Sequence, residues 1–237
     1  MAADKVLLPG VGDASVALAS LRSLGLDSVI PSLKCPVLGI CVGMQVMCRH
    51  SEEGDAAGLG IFGTDVVRFR SDDPSVKIPH MGWNSLTVLK SPLFKGLREG
   101  SFMYFVHSFY AGICDCTVAA SEHSVKFSAV LCKDNFYGTQ FHPEKSGMDG
   151  AALLKYFLIV TRTPCLSWPD LTDRPATAGL CHVLNTPSEE GFIGRLEQVI
   201  RNRHELMPKG HYTTHLFKEG VSMSDLEKEL LSRHNDS

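Results

Sequence analysis

The sequence predicts an α/β fold: an open, mostly parallel sheet flanked by helices, with a small helical appendage at the C-terminal end. Two observations carry that expectation. The first half of the chain alternates short apolar runs with segments of helical spacing, joined by short links. A cysteine bracketed by glycines then sits where one of those apolar runs passes into a helix.

Lys5-Val6-Leu7-Leu8 is an apolar run stopped by Pro9-Gly10, which reads as a buried strand. Ala14 to Leu24 has apolar residues at helical spacing. Pro36-Val37-Leu38-Gly39-Ile40 is a second buried strand, followed by a helix from Gly43 to about His50. From Ile61 onward the pattern changes to strands separated by Gly, Pro, Asp and Ser. These are expected at Thr64–Phe69, Trp83–Val88, Phe102–Val106, Thr117–Ala120, Ser128–Cys132 and Phe136–Phe141. A helix from Ala151 to Val160 closes this unit, which is taken as residues 1–160. Thr161 to Glu190 carries Pro164, Pro169, Pro175 and Pro187 and little periodicity, so 161–190 is expected to be a linker. In the tail, 191–237, an amphipathic helix is expected at Phe192–Arg203, with Ile193, Leu196, Val199 and Ile200 on one face, and a short helix at Ser224–Leu231.

Composition narrows the function classes. Net charge is −3 and basic residues are scattered among acids, which predicts neither a nucleic-acid nor a membrane partner. No apolar run reaches the roughly 18 residues needed to cross a bilayer. The start, Met1-Ala2-Ala3-Asp4-Lys5, has no signal-peptide pattern, so a cytoplasmic location is expected. Of the eight cysteines none forms a CxxC pair matched by a second, which argues against structural zinc and for mostly free, buried thiols. His211 and His215 are four apart, but Gly210, Thr213 and Thr214 disfavour the helix that would bring them together, so no metal site is expected.

Gly39-Ile40-Cys41-Val42-Gly43 has the form G-x-C-x-G between strand and helix, the thiol version of a nucleophile elbow. Such a turn lifts the sulfur above the carboxyl end of the sheet and aims the Val42 N–H at a developing oxyanion. Taken alone, the bracket leaves two readings of Cys41 standing: a nucleophile, or one more small buried hydrophobe. Gln140-Phe141-His142-Pro143-Glu144 offers the base a thiol needs. Pro143 restricts His142 to extended backbone, and residues i and i+2 of an extended segment face one side, which would bring Glu144 to the imidazole. Pro9-Gly10-Val11-Gly12 is a glycine-rich turn at a strand end, either a plain connection or a source of backbone N–H donors.

These segments together resemble the class I (triad) glutamine amidotransferases, and within them the glutaminase subunits of imidazole glycerol phosphate synthase. The resemblance runs from about Ala3 to Val160. It is carried by Leu7 to Gly12, Leu38 to Gln45, Pro79-His80-Met81-Gly82-Trp83-Asn84, Tyr104-Phe105-Val106-His107-Ser108 and Tyr137 to Ser146. The Pro79–Asn84 stretch separates it from glutaminases that serve anthranilate or carbamoyl-phosphate synthesis. The resemblance implies that Cys41 attacks the amide of L-glutamine, His142 acts as base and then acid, and Glu144 orients His142. It also implies that Gln45 holds the substrate, Gly10-Val11 supplies an oxyanion donor, and His107, Ser108 and Phe109 line the α-amino-acid end. Trp83, Asn84, Tyr104 and Lys145 would face a barrel-shaped cyclase subunit in a heterodimer. That partner would use the ammonia to make imidazole glycerol phosphate and an aminoimidazole carboxamide ribotide for histidine biosynthesis. No cofactor is implied.

Two departures are expected to matter. The family's chains begin with another strand and helix before the segment matching Lys5, so the first strand here should present an unpaired edge, and a non-catalytic remnant is the alternative reading. The tail resembles the start of phosphoribosyl-ATP pyrophosphohydrolase at Gly191–Ile200 and His211–Gly220, but Val221–Leu230 lacks that family's metal-binding spacing, so no activity is expected of it.

Overall fold

The computed structural model describes residues 5–159 and 181–183. The helices expected at 192–203 and 224–231 lie outside the described residues, as does the rest of the tail.

The first strand, β1 (Lys5–Gly10), is buried along its whole length. Helix α1 (Ala14–Ser23) follows, capped by the Asp13 carboxylate, which accepts from the Ser15 and Val16 amides, and it turns Ala14, Leu18 and Leu21 inward. A short helix α2 (Leu26–Val29) leads to β2 (Val37–Cys41), also wholly buried, and directly into α3 (Val42–Gln45). The unbroken burial of β1 and β2 is what a parallel strand covered on both faces requires. Their apolar runs were therefore legible without alternation.

The helix expected to run to His50 stops after one turn. The carbonyls of Val46, Met47, Cys48 and Arg49 accept from the amides of Leu59, Ile61, Gly60 and Gly58, not from residues four further along. A looped-back segment thus takes the bonds that would have propagated the helix. Before it lie two strands too short for periodicity to register, β3 (His50–Ser51) and β4 (Ala56–Ala57). They join β5 (Asp65–Arg68) and β8 (Phe109–Ala111) in a four-stranded sheet of order β4-β3-β5-β8.

The strand expected at Trp83–Val88 lies three residues earlier, as β6 (His80–Ser85), paired antiparallel with β7 (Phe102–His107). It ends at Ser85, and Val88, where the strand was expected to finish, has a φ of 61°, outside extended structure. The strands expected at 117–120 and 128–132 are the arms of one longer hairpin, β9 (Thr117–His123) and β10 (Val125–Lys133), turning at Ser124. The last strand of the unit is β11 (Phe136–Thr139), and α4 (Gly147–Ile159) begins four residues before the expected Ala151.

The main sheet has six strands in the order β12-β1-β2-β11-β10-β9, parallel from β12 to β11 and antiparallel beyond. Its outermost member, β12 (Cys181–Val183), pairs parallel with Lys5 to Leu7. Two expectations change here. Residues 181–183 are strand, though they fall within the expected 161–190 linker. The β1 edge, expected to be unpaired, is paired over three residues. Neither feature was visible in sequence, because three residues carry no period.

Candidate active site

Topology gathers the site. Strands β1, β2 and β11 are parallel neighbours, so their carboxyl ends lie together, with Gly10 level with Cys41 and Thr139 level with Ile40. The chain leaves β1 at Val11, β2 at Cys41, and β11 toward Gln140 and His142. This is where open α/β sheets bind ligands.

At the end of β2, Cys41 has φ 53° and ψ −111°, an unfavourable conformation for a non-glycine residue, and the chain enters α3 at once. The glycines around it are demanded by close approach. A Cβ on Gly43 would lie 1.7 Å from the Leu8 carbonyl oxygen, one on Gly39 2.4 Å from the Gly43 oxygen, and one on Gly10 2.5 Å from the Gly43 nitrogen. The elbow is therefore wedged backbone-to-backbone against β1, which fixes where the sulfur sits.

His142 and Glu144 are both enclosed, and Nδ1 of the imidazole is 2.9 Å from Glu144 Oε1. The route differs from the extended one expected. His142 itself is extended, but Pro143–Lys145 forms a 3₁₀ turn that swings the carboxylate back to the ring. The segment is clamped to β7: the His142 amide donates to the Tyr104 carbonyl (2.9 Å), and Ser146 Oγ accepts from the Tyr104 amide (2.9 Å) while donating to the His142 carbonyl (2.7 Å). Burial pulls the imidazole pKa down, but its bonds to Cys41 and Glu144 outweigh this and hold it up at about 9. With Nδ1 turned to Glu144, Nε2 is the nitrogen left for the sulfur.

Beneath the sulfur, Gln140 Nε2 donates to Cys41 Sγ (3.7 Å). Gln45 Nε2 donates to the Phe109 carbonyl (3.0 Å) and to Gln140 Oε1 (3.1 Å). Both amide hydrogens of Gln45 are thereby used, and its oxygen remains to face a ligand.

A cavity of about 190 Å³ opens over these groups, lined by Val11, Gly12, Cys41, Val42, Gln45, Glu53, Val106, His107, Ser108, Phe109 and His142. That is below the roughly 300–1,000 Å³ of pockets for drug-sized ligands and suits a single amino acid. The structure brings Cys41, Val42, Gln45, Val11, His107, Ser108, Phe109 and His142 to one cavity. Glu144 stands behind His142. Gly10 is not on the wall but beneath it, against the elbow. Trp83, Asn84, Tyr104 and Lys145 lie apart, on and beside the β6/β7 hairpin.

Glu53 was not anticipated. It follows the short β3 strand, in a segment with no motif, and only the fold returns it to the cavity. Its carboxylate accepts from the Ala14 amide (2.8 Å); burial raises its pKa, that bond lowers it, and the nearby Asp13 raises it, leaving it raised overall.

Three buried histidines set an expected pH profile of stability. Burial pushes His80 down to about 4 and His107 to about 3, so between those values and 6.5 the unfolded chain binds protons that the folded chain refuses. Their contribution is complete above pH 6.5 and lost as pH falls, by up to ~1.4 kcal/mol per pH unit each. His142 has the opposite sign: its contribution is complete below pH 6.5 and lost as pH rises through about 9. Urea unfolding midpoints should peak near pH 6.5 and fall on both sides.

Comparison with known proteins agrees with this geometry. Residues 2–161 match the family Glutamine amidotransferase class-I, and the chain belongs to that family. Within it, the chain is 54% identical over 156 residues to the protein named imidazole glycerol phosphate synthase subunit HisH of Bacteroides thetaiotaomicron, covering 66% of this chain and 80% of that one. Proteins of the same name from Haemophilus influenzae and Shewanella sediminis are 46% and 45% identical, covering 66% and 68% of this chain and 78% and 75% of theirs.

Proposed function

We propose that this chain is the glutaminase of an imidazole glycerol phosphate synthase. It hydrolyses L-glutamine and passes the ammonia to a cyclase subunit, which makes imidazole glycerol phosphate and an aminoimidazole carboxamide ribotide in histidine biosynthesis. The observation that carries this reading is the convergence of Cys41, His142 and Gln45 on one amino-acid-sized cavity, with Glu144 behind the imidazole.

In this reading the substrate carboxamide lies over Cys41, its NH₂ group donating to the Gln45 amide oxygen. Sγ attacks the amide carbon, and His142 holds the proton the thiol gives up. The carbonyl oxygen becomes an oxyanion beside the Val42 N–H, which begins α3 and has no acceptor within it, and it faces the Val11 wall. Collapse breaks the C–N bond, and the His142 proton leaves with ammonia. The glutamyl thioester is then cleaved by water, whose proton passes to His142, releasing glutamate and restoring the thiol. Glu144 keeps the imidazole oriented throughout.

Glu53 is positioned for the substrate's α-ammonium group, with the backbone near Ser108 and Phe109 for its α-carboxylate. Glu53→Gln should raise the KM for glutamine about tenfold or more while largely sparing kcat, the signature of lost ground-state binding to a charged group.

The partner face in this reading is the β6/β7 hairpin. Met81 and Trp83 project into solvent at 64% and 51% exposure, Tyr104 meets Trp83 edge-on, and Lys145 Nζ lies 5.9 Å from the Tyr104 ring centre. Exposed aromatic and Met side chains beside a cation suit an interface. The described residues include no helix long and apolar enough to cross a membrane. Ammonia release from glutamine, assayed with and without the cyclase subunit, tests the proposal. Stimulation by that subunit supports it, and absence of glutamine turnover in its presence refutes it.

A further inference from the structure

His80 and His107 stand directly opposite each other on β6 and β7, inside the hairpin that separates the exposed Trp83 face from the cavity. Both rings are buried. They belong to a chain of hydrogen bonds that allows one assignment of protons. The Phe109 carbonyl can only accept, so the bond from His107 Nδ1 (2.7 Å) places the proton there. His107 is neutral, so its Nε2 must accept, and the group facing it is His80 Nδ1 at 3.1 Å. His80 therefore carries its proton on Nδ1, and its Nε2 accepts from Asn84 Nδ2 (3.2 Å). Asn84 is itself fixed: Nδ2 also donates to the Glu122 carbonyl (2.8 Å), and Oδ1 accepts from the Ser85 amide (2.8 Å).

The chain ends on a carbonyl that matters. Phe109 O also accepts one of the two hydrogens of Gln45 Nε2, the bond that turns the Gln45 oxygen toward the cavity. The neighbouring rings hold the relay in place. His80 stacks on Phe105 and on His123, whose Nε2 donates to the Lys77 carbonyl, and Phe127 packs edge-on against both His80 and His107.

We propose that His80 is a positioning residue for the glutamine site: by donating to His107 it fixes the ring that holds the Phe109 carbonyl and, through it, the Gln45 amide. Without that donor, His107 Nε2 is a buried acceptor with no partner, and the alternative tautomer sets its Nδ1 lone pair against the Phe109 oxygen. Either outcome loosens the wall on which Gln45 is held.

The inference rests on the glutaminase reading, so its test has one arm that does not require turnover. In the full chain with ¹⁵N-labelled histidine, two-bond ¹H–¹⁵N correlations at neutral pH should show His107 neutral and protonated on Nδ1. Protonation on Nε2, or on both nitrogens, overturns the proposal whatever the enzyme does. In the glutaminase assay with the cyclase subunit, His80→Leu should lower kcat/KM for glutamine about tenfold, mostly through KM, the scale of one buried hydrogen bond. His80→Asn, whose amide nitrogen can take the place of Nδ1 as donor, should stay within about twofold of the parent. Parental kcat/KM in His80→Leu overturns the proposal. So does equal impairment of the two variants at equal melting temperature, which would mean a structural role alone. Should His80→Leu fail to fold, the His80→Asn activity and the tautomer still decide: an impaired but folded His80→Asn overturns it.

Discussion

Cys41→Ser is expected to lower glutamine hydrolysis by at least about a thousandfold while leaving the chain folded, because removing a covalent nucleophile removes the step itself. A hydroxyl gives up its proton far less readily than a thiol, so the near-isosteric atom does not rescue the reaction. The fold should survive because, apart from its bond to His142, Sγ makes weak contacts, at 4.0 Å from the Val106 carbonyl and 3.7 Å from Gln140 Nε2. His142 should respond, since the bond to Cys41 is among the contacts that raise its pKa. Activity and melting temperature measured on one preparation check both halves. Parental activity would remove Cys41 from the reaction, and an unfolded variant would make it a core residue first.

Gly43→Ala is expected to have the largest effect on stability of any single methyl group added around the elbow. The new carbon would sit 1.7 Å from the Leu8 carbonyl oxygen and 2.8 Å from its carbon, and both atoms are backbone in a buried strand. No rotamer change relieves that clash, so either β1 or α3 must move: α3 lines the cavity with Val42 and Gln45, and β1 leads directly into its Val11 wall. A loss of at least about 3 kcal/mol is expected, or roughly 6–12 °C in melting temperature for a unit of this size. Glutaminase activity should fall with it. Gly63→Ala is the control: a Cβ there meets nothing within 4 Å, and the change should stay within about 0.5 kcal/mol.

The parts of the molecule that declared themselves in sequence are those where chemistry or close packing leaves no choice. Gly39, Cys41 and Gly43 stand at fixed offsets because backbone meets backbone there. His142 and Glu144 could be paired from two positions and a proline, although the 3₁₀ turn that pairs them was not foreseen. β1 and β2 were legible as unbroken apolar runs because both their faces are covered. What stayed hidden depends on distant residues. Glu53 reaches the cavity only because 58–62 loops back onto 46–49 and ends α3 early. β12 supplies three residues to the β1 edge from a stretch rich in proline. The His80 to His107 relay depends on cross-strand register, which the sequence pattern does not carry, and β6 begins three residues before the strand expected at Trp83–Val88.

In the proposed reaction Cys41 Sγ is the atom that attacks glutamine. The direct measurement is mass spectrometry of the full chain, with the cyclase subunit present, after exposure to a chloroketone analogue of glutamine, with and without excess glutamine. One adduct is expected, on Cys41, that glutamine suppresses and that is absent from His142→Asn, where no base receives the thiol proton. An unmodified Cys41 alongside labelling of Cys114 or Cys116, or labelling of Cys41 that glutamine does not slow, would contradict it.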